Sequence, residues 1–500
     1  MIKNVLVLGA GSAGLIAAIS LKRKIPRLEV RIVRSPAIGV IGVGESTTPA
    51  FPKHLFEYLG ISRAHFYATA EPTWKMGIHF LWGPRPCFEY AFEFQLDVQL
   101  PDLPRPNGFY CDDEFEAANL CGALMSNQKV FPRQPNGGGP AIPPWHAFHL
   151  ENTKLVACLE VVSREIGIEF IDAKISGAQR GSAGIAAVVL EDGRKLEADL
   201  FVDASGFHSE LLGRALEEPF ISFDQSLFCD RAVVGSWQRT TEPILPYTTA
   251  ETMNSGWCWQ IEHEQTVNRG YVYSSGFISD DEAHAEFTRK NPRVRPWDHI
   301  VKFRSGRYQR GWVDNVVGIG NACGFVEPLE SSALMVVCGQ SQALVEFLIH
   351  GELSPTPTMR DLYNRWAADT WDEIRDFLAS HYRFNTRLQT PFWKHCCAEA
   401  DVSGSAALLE FYDENGPTGL CRHLMRNMSG TGNQFGIEGF LVMLVGNRVP
   451  YRGRHAATDA ERQIWNRHQA SYRAEAQMGM DVKEALGFVH HPGWRWNAGR

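Results

Sequence analysis

Residues 320–333 read Gly-Asn-Ala-Cys-Gly-Phe-Val-Glu-Pro-Leu-Glu-Ser-Ser-Ala and crowd two carboxylates, two hydroxyls and three conformationally free or restricted turn residues into one short stretch. Two further segments give this cluster chemical meaning. Trp74-Lys75-Met76-Gly77 sets a lone lysine among apolar neighbours, and Gly9-Ala10-Gly11-Ser12-Ala13-Gly14 opens the chain with a glycine-spaced turn. An ammonium near a carboxylate can orient a reactive group and exchange protons with it, because each shifts the other toward its charged form. A glycine turn that starts a helix can cradle a phosphate.

The elements that must position these groups are legible around them. Val5-Leu6-Val7-Leu8 is a short buried-strand pattern, and the Ala/Leu/Ile spacing from Leu15 to Lys24 is that of a packed helix. In that βα setting Gly9 permits the tight turn, Gly11 lets amides approach a pyrophosphate and Gly14 lets helix close on strand, with Ser12 and Ala13 between them. Val30-Arg31-Ile32-Val33 is the second strand, and it ends in Arg34 where the usual pattern has an acid for a ribose hydroxyl. An arginine there could accept a 2′-phosphate; the preferred reading lays it over an adenine or against phosphate.

Further strands of such a core are expected at 168–171, 186–190, 199–206 and 316–322. The reading is an α/β chain: a discontinuous dinucleotide-binding core at 1–223 and 311–345, carrying the lysine strand inside 40–100, with an antiparallel substrate platform at 224–310 and a mainly helical covering region at 346–500. Alternating polarity rich in Trp, Tyr, Phe and Thr motivates the platform. Leu362, Tyr363, Trp366, Trp371, Ile374 and Phe377 motivate the helices. Pro135–Pro140, with three consecutive glycines, is expected to be a mobile loop.

Composition narrows the function classes. Lys+Arg 49 against Asp+Glu 57 gives a net charge of −8 with no block of like charge, which excludes a basic nucleic-acid groove or polybasic anchor and favours a small organic substrate. The eleven cysteines show no metal-spaced pair, and Cys396-Cys397 reads as ordinary reduced side chains, so no metal site is expected. No signal peptide is evident and no uninterrupted apolar stretch reaches spanning length, so the expected location is cytoplasmic.

The chain resembles the flavin-dependent halogenases of the tryptophan and indole type. The resemblance rests on the opening glycine turn, on Gly42-Val43-Gly44-Glu45-Ser46-Thr47-Thr48-Pro49, Thr73–Gly77, Asp203-Ala204-Ser205-Gly206, Trp257-Cys258-Trp259-Gln260-Ile261, and Gly320 to Ser331. It implies a glutathione-reductase-like FAD fold without its own NAD(P)H site, fed with FADH2 by a separate flavin reductase, that uses oxygen and bromide or chloride to make hypohalous acid for an arene. It further implies that Lys75 presents the electrophilic halogen and that Glu330 orients it or accepts the arene proton. Halide would sit on the amides of Ser332 and Ala333. Gly44, Glu45, Ser46, Asp203, Gly320 and Gly324 would join Gly9 to Gly14 and Arg34 around the cofactor, while Ser331, Pro328, Trp257 and Trp259 would line the way to the substrate.

Apart from the resemblance, Trp74, Met76, Ile78 and Phe80 alternate on one strand face, so Lys75 points the other way with Gly77 and His79. A lysine at a strand edge facing solvent is the plain alternative. Glu330 could be a helix-start acid favoured by the dipole, Glu327 reads as a structural acid, and Asp203 could merely cap a helix. The family's tryptophan signature normally closes with proline, which is Glu262 here; that departure keeps an aromatic monooxygenase open as an alternative, and a noncatalytic flavin-binding partner is a third reading. Residues 430–480 offer no paired-tyrosine and glutamate pattern for the ends of free tryptophan, since Glu438 and Tyr451 do not form one. Indole is therefore the preferred test substrate, bromide the more easily oxidised halide, and a homodimer is compatible with the chain.

Overall fold

The computed structural model describes residues 1–496 except 38, 40–43, 94–99, 101, 106–107, 109, 112–116, 136, 298, 422, 425–435 and 454. The chain opens as its apolar pattern dictates: β1 (Asn4–Leu8), α1 (Ser12–Lys24) and β2 (Glu29–Arg34) form a parallel βα unit. Val5, Leu6, Val7 and Leu8 are fully buried because both faces of the sheet they enter are covered, Val5 and Val7 by helices that include α1, and Leu6 and Leu8 by Ile185, Val188 and Leu190 of a second sheet together with Leu211 and Leu212. β3 (Glu45–Ser46), β4 (Thr73–Lys75), β5 (Gly77–Leu81), β6 (Phe88–Ala91) and β7 (Ala147–Leu150) follow before α2 (Asn152–Glu165), β8 (Glu169–Asp172) and β9 (Leu200–Asp203).

Six strands compose the first sheet, in the order Trp312–Val313, Val316–Gly318, β9, β1, β2, β8, all parallel except the Trp312–Val313 edge. The expected strand at 186–190 is not among them. Residues Gly184–Leu190 instead pair antiparallel with Ile175–Gly181 and Lys195–Leu196 in a separate three-stranded sheet, because the chain reverses tightly after Gly181.

A second, larger sheet holds β10 (Arg231–Gln238), β11 (Thr248–Met253), β12 (Gly256–Glu262) and β13 (Thr266–Tyr273) in the order β10-β13-β12-β11-β5-β6, with short strands at 295–296 and 301–302 beyond β10. It is wider than the 224–310 segment, since β5 pairs parallel with β11 and brings β6 with it. The stretch read as one continuous lysine strand is in fact two. Met76 breaks it: its N–H donates to Pro246 O, leaving β4 in a small sheet with β7 and β3 and sending β5 into the large one.

That small sheet, ordered β3-β7-β4, lies where the larger units meet. Ser46 and Thr73 both pair with His149, and Lys75 pairs with Ala147. With a side-chain period of two, Ser46, Thr73, Lys75 and His149 share one face while Trp74 and Phe148 point into an aromatic core with Phe66, Tyr67 and Phe131.

After residue 332 the chain is mainly helical. α3 (Ala333–His350) packs on the nucleotide sheet, and α4 (Pro357–Arg383) lays Trp371, Ile374, Phe377 and Leu378 on the large sheet, although Leu362 faces solvent. By length and composition α3 is apolar enough to cross a membrane, although Gln340, Ser341, Gln342 and Glu346 interrupt its apolar run. It is mostly buried, with Leu334, Val337, Leu344 and Leu348 packed in the core. At the base of the glycine loop Gln134 N–H bonds to Gly139 O, and a side chain at Gly139 would collide with Trp494, while Pro135, Gly137 and Gly138 are exposed. Asn136 lies outside the described residues.

Candidate active site

The cradle at the first turn is built from backbone. Gly9 adopts φ +105°, and a Cβ there would stand 2.5 Å from Ala204 O; one at Gly14 would stand 1.9 Å from Gly9 O. Gly11, by contrast, faces open space. Gly11 also caps α1 without a side-chain hydrogen bond, and no acid occupies the first turn. The amides of Ser12, Ala13 and Gly14 therefore open the helix with their positive ends uncompensated by side chains.

Lys75 is fully buried. Its ammonium donates to Thr47 O at 3.1 Å and to Ser331 Oγ at 2.8 Å, and Nζ lies 5.0 Å from the Phe92 ring centroid. Burial pushes its pKa down to about 7, opposed by the field of Glu330. An ammonium carries three donors, so one remains beyond the two protein acceptors. The strand-edge alternative is thereby excluded.

Glu330 closes the 3-10 turn Pro328–Glu330, and Ser331 follows in the left-handed region at φ +58°. That reversal points two adjacent side chains in different directions. Ser331 reaches Lys75, whereas Glu330 Oε1 bonds to His381 Nε2 at 2.7 Å, both groups being buried. Glu330 and Lys75 do not form a direct ion pair; they act on each other through space. His381 Nδ1 faces Phe377 O at 2.8 Å. A carbonyl only accepts, so Nδ1 carries hydrogen and the Nε2–Oε1 contact holds one proton between imidazole and carboxylate.

Comparison with known proteins places this geometry. A family model described as tryptophan halogenase matches residues 4–462. Tryptophan 7-halogenase KtzQ of Kutzneria sp. is 33% identical over 84% of this chain and 83% of its own length, and tryptophan 7-halogenase RebH of Lentzea aerocolonigenes is 31% identical over 79% and 78%. The crystal structure of MibH, a lathipeptide tryptophan 5-halogenase, superposes with a TM-score of 0.89 at 38% identity, covering 97% of this chain and 93% of that one. The chain belongs to the tryptophan halogenase family.

It is accordingly an enzyme of the flavin-dependent halogenase type, an oxidoreductase, and the family implies FAD. The glycine cradle fits that group: side chains are excluded at Gly9 and Gly14, space is left at Gly11, and helix amides are free for a diphosphate. Gly320, at φ +62°, packs against Ala13 and Val337 and donates its N–H to Gln340 Oε1 at 2.8 Å, holding the two helix starts together.

Several residues expected at the cofactor have other work in this halogenase. Asp203 accepts from the amides of Ser205, Leu211 and Leu212, and from the Ser205 hydroxyl, so it caps the turn at 210–215, the alternative left open for it. Arg34 is ion-paired with Glu160 and Asp172 and lies over Phe170, which commits its guanidinium to the protein. Gly324 is a packing glycine: a Cβ would meet Trp371 at 2.8 Å. Gly44, at φ +80°, lets the chain pass His263 and Asn268; Gly42 and Val43 lie outside the described residues. Glu45 receives Asn152 at 3.2 Å, and burial pushes its pKa up to about 7.

On the other side of the turn, Trp257 and Trp259 are buried 6.0 Å apart against Val326, Leu329 and Met335. Pro328 is exposed at the start of its turn. Glu327 is the structural acid it was read to be: fully buried, it accepts from Trp257 Nε1 and Tyr382 Oη at 2.7 and 2.5 Å, tying β12 and α4 to the 328–330 turn. Glu262, in place of the family's proline, is paired with Arg239 and receives Gln260 at 2.6 Å, so the substituted charge is neutralised within the sheet. Ser332 caps α3 without a side-chain bond, and no acid lies in that helix's first turn.

His381 was missed by sequence reasoning. Its only signal is a histidine four residues after Phe377 on the buried stripe of α4, which is also the pattern of an ordinary core residue.

Proposed function

We propose that this enzyme halogenates an electron-rich aromatic substrate of the indole type, using FADH2, oxygen and bromide or chloride. The observation that carries this reading is the fully buried Lys75, held by Thr47 and Ser331 beside the Glu330–His381 pair. Reduced FAD, when bound, supplies with oxygen and halide the hypohalous acid. The amides of Gly11 to Gly14 hold its diphosphate, with the 1–223 and 311–345 segments as the FAD-binding core, and a separate reductase in the cytoplasm delivers it reduced.

The remaining steps belong to side chains. The amides of Ser332 and Ala333, at the uncapped start of α3, attract the halide. Lys75 directs its remaining donor, or as an amine its lone pair, toward the oxidised halogen and fixes that atom against the arene. Glu330 takes the proton the arene sheds, with His381 fixing the carboxylate's orientation. Trp257, Trp259 and Leu329 form an apolar wall that excludes water and bulk substrate from the flavin side, and the 224–310 platform and later helices enclose the arene.

Incubation with FAD, a flavin reductase, oxygen, bromide and indole yields haloindole by mass spectrometry, and Lys75→Ala lowers the yield at least about a thousandfold, within the span that removal of one activating group spans in transfer enzymes. Undiminished product from Lys75→Ala would reject the mechanism. A tryptophan inside a peptide belongs in the substrate panel beside indole and free tryptophan, because the MibH structure, a lathipeptide tryptophan 5-halogenase, matches nearly the whole chain.

A further inference from the structure

Beyond Lys75 and Ser331, an unbroken row of buried polar side chains runs away from the reaction chamber. Ser331 Oγ donates to Ser46 Oγ at 2.9 Å, Ser46 Oγ contacts Thr248 Oγ1 at 2.7 Å, and Thr248 Oγ1 contacts His149 Nε2 at 2.8 Å. None of the five side chains in this row is more than 9% exposed. The row is a consequence of register: β3, β4 and β7 place Ser46, Lys75 and His149 on one sheet face, and the first residue of β11 closes the gap between serine and histidine.

The first link of this row has a fixed direction. An ammonium only donates, so Ser331 accepts from Lys75 and spends its single hydrogen on Ser46. In the arrangement that continues this direction, Ser46 donates to Thr248 and Thr248 to His149, whose Nε2 presents a lone pair. If His149 is protonated on Nε2 it becomes a donor, the row reverses, and Ser331 turns its hydrogen toward Lys75, which then accepts as a neutral amine. We propose that Ser331, Ser46, Thr248 and His149 form a proton relay through which Lys75 and His149 share one proton.

In the transfer, Lys75 gives a proton to Ser331 as Ser331 passes its own to Ser46, Ser46 to Thr248 and Thr248 to His149 Nε2. No atom is gained or lost; the positive charge moves from Lys75 to His149. Lys75 can thus alternate between an ammonium, which donates a hydrogen bond, and an amine, whose lone pair can accept halogen, without admitting water. The surroundings oppose charge at both ends at once. Lys75 faces Glu330, while His149 faces Lys75, His263 and Arg239 together with the backbone of Glu262. Burial lowers both groups, Lys75 to about 7 and His149 well below the usual histidine range, so the proton rests on Lys75 and visits His149.

The role of Lys75 in this relay rests on the proposed halogenation, so the test includes a reaction that needs neither halide nor arene. Carbamylation of Lys75 by cyanate requires the neutral amine and is read across pH on its peptide by mass spectrometry of the full-length, FAD-bound protein. Thr248→Val removes the acceptor for Ser46, and Ser46→Ala cuts the row one link nearer. Both leave Ser331 free to donate to Lys75, so the midpoint falls by about one pH unit and carbamylation near about pH 6 quickens about tenfold. Thr248→Ser keeps the wild-type midpoint. His149→Gln, whose amide oxygen still accepts from Thr248, also keeps the midpoint but lowers haloindole kcat about tenfold with KM unchanged, a loss in the span of general acid–base steps. Wild-type midpoints in both Thr248→Val and Ser46→Ala would overturn the relay, as would undiminished turnover by His149→Gln. A wild-type enzyme that halogenates nothing would instead remove the proposed function and leave the carbamylation shifts to decide the relay.

Discussion

The cofactor cradle and the lysine chamber are built on opposite principles. At Gly9 to Gly14 the ligand-facing groups are backbone amides, supplied by consecutive residues and exposed by the absence of side chains. Around Lys75, apart from the Thr47 carbonyl, the groups are side chains from β3, β4, β7, β11 and the 328–331 turn, separated by up to 285 residues along the chain. A local backbone site tolerates change in most side chains and none at Gly9 and Gly14, where a Cβ has no room. A site assembled from distant side chains depends on burial, and each of its members alters the protonation of the next.

The comparison breaks most sharply at Gly14→Ala. A Cβ 1.9 Å from Gly9 O forces strand and helix apart. FAD affinity, measured by fluorescence titration, should fall at least about a hundredfold, equivalent to about 3 kcal/mol. His381→Leu tests the side-chain site: it leaves the Glu330 carboxylate buried without its partner, and urea unfolding near neutral pH should show a loss of about 3 kcal/mol. Retained stability there would mean that water reaches Glu330.

The next change should stabilise. Lys75 has a folded pKa near 7, below its unfolded value, so between about pH 7 and pH 10 the unfolded chain binds the extra proton and stability rises with pH. Lys75→Met removes that penalty, and its melting temperature should exceed wild type at about pH 6, with the gap narrowing by about pH 9. Glu327 gives the opposite sign. Burial pushes its pKa up to about 7, so stability is present below the ordinary carboxylate range and is lost as pH rises through about 7. Glu327→Gln should flatten that slope while changing stability at about pH 5 by less than about 1 kcal/mol, the smallest effect of the four.

The same contrast explains which parts of the molecule could be read in advance. The βα turn was legible because its signal is confined to Gly9, Gly11, Gly14 and flanking apolar runs. Lys75 was legible as a candidate because a lysine between Trp74 and Met76 breaks an apolar pattern. His381, Thr248 and His149 carried no such mark: each is a common residue in an ordinary strand or helix, and only register and packing bring it to the site. Asp203 and Arg34 show the complementary case. Their positions match a cofactor motif, yet nearby amides at 205–212 and the acids Glu160 and Asp172 satisfy them first.

By itself the sequence determined the βα cradle, because short-range spacing and residue type suffice to specify it, and its resemblance to a known family singled out Lys75 and Glu330 as candidates. The tertiary structure decided what those residues touch. The left-handed backbone at Ser331 sends Glu330 to His381 and Ser331 to Lys75, and a small sheet between larger units lines up the hydroxyls behind the lysine. Hydrogen bonds are set by distance and direction, and neither can be read from order along the chain when the partners lie hundreds of residues apart.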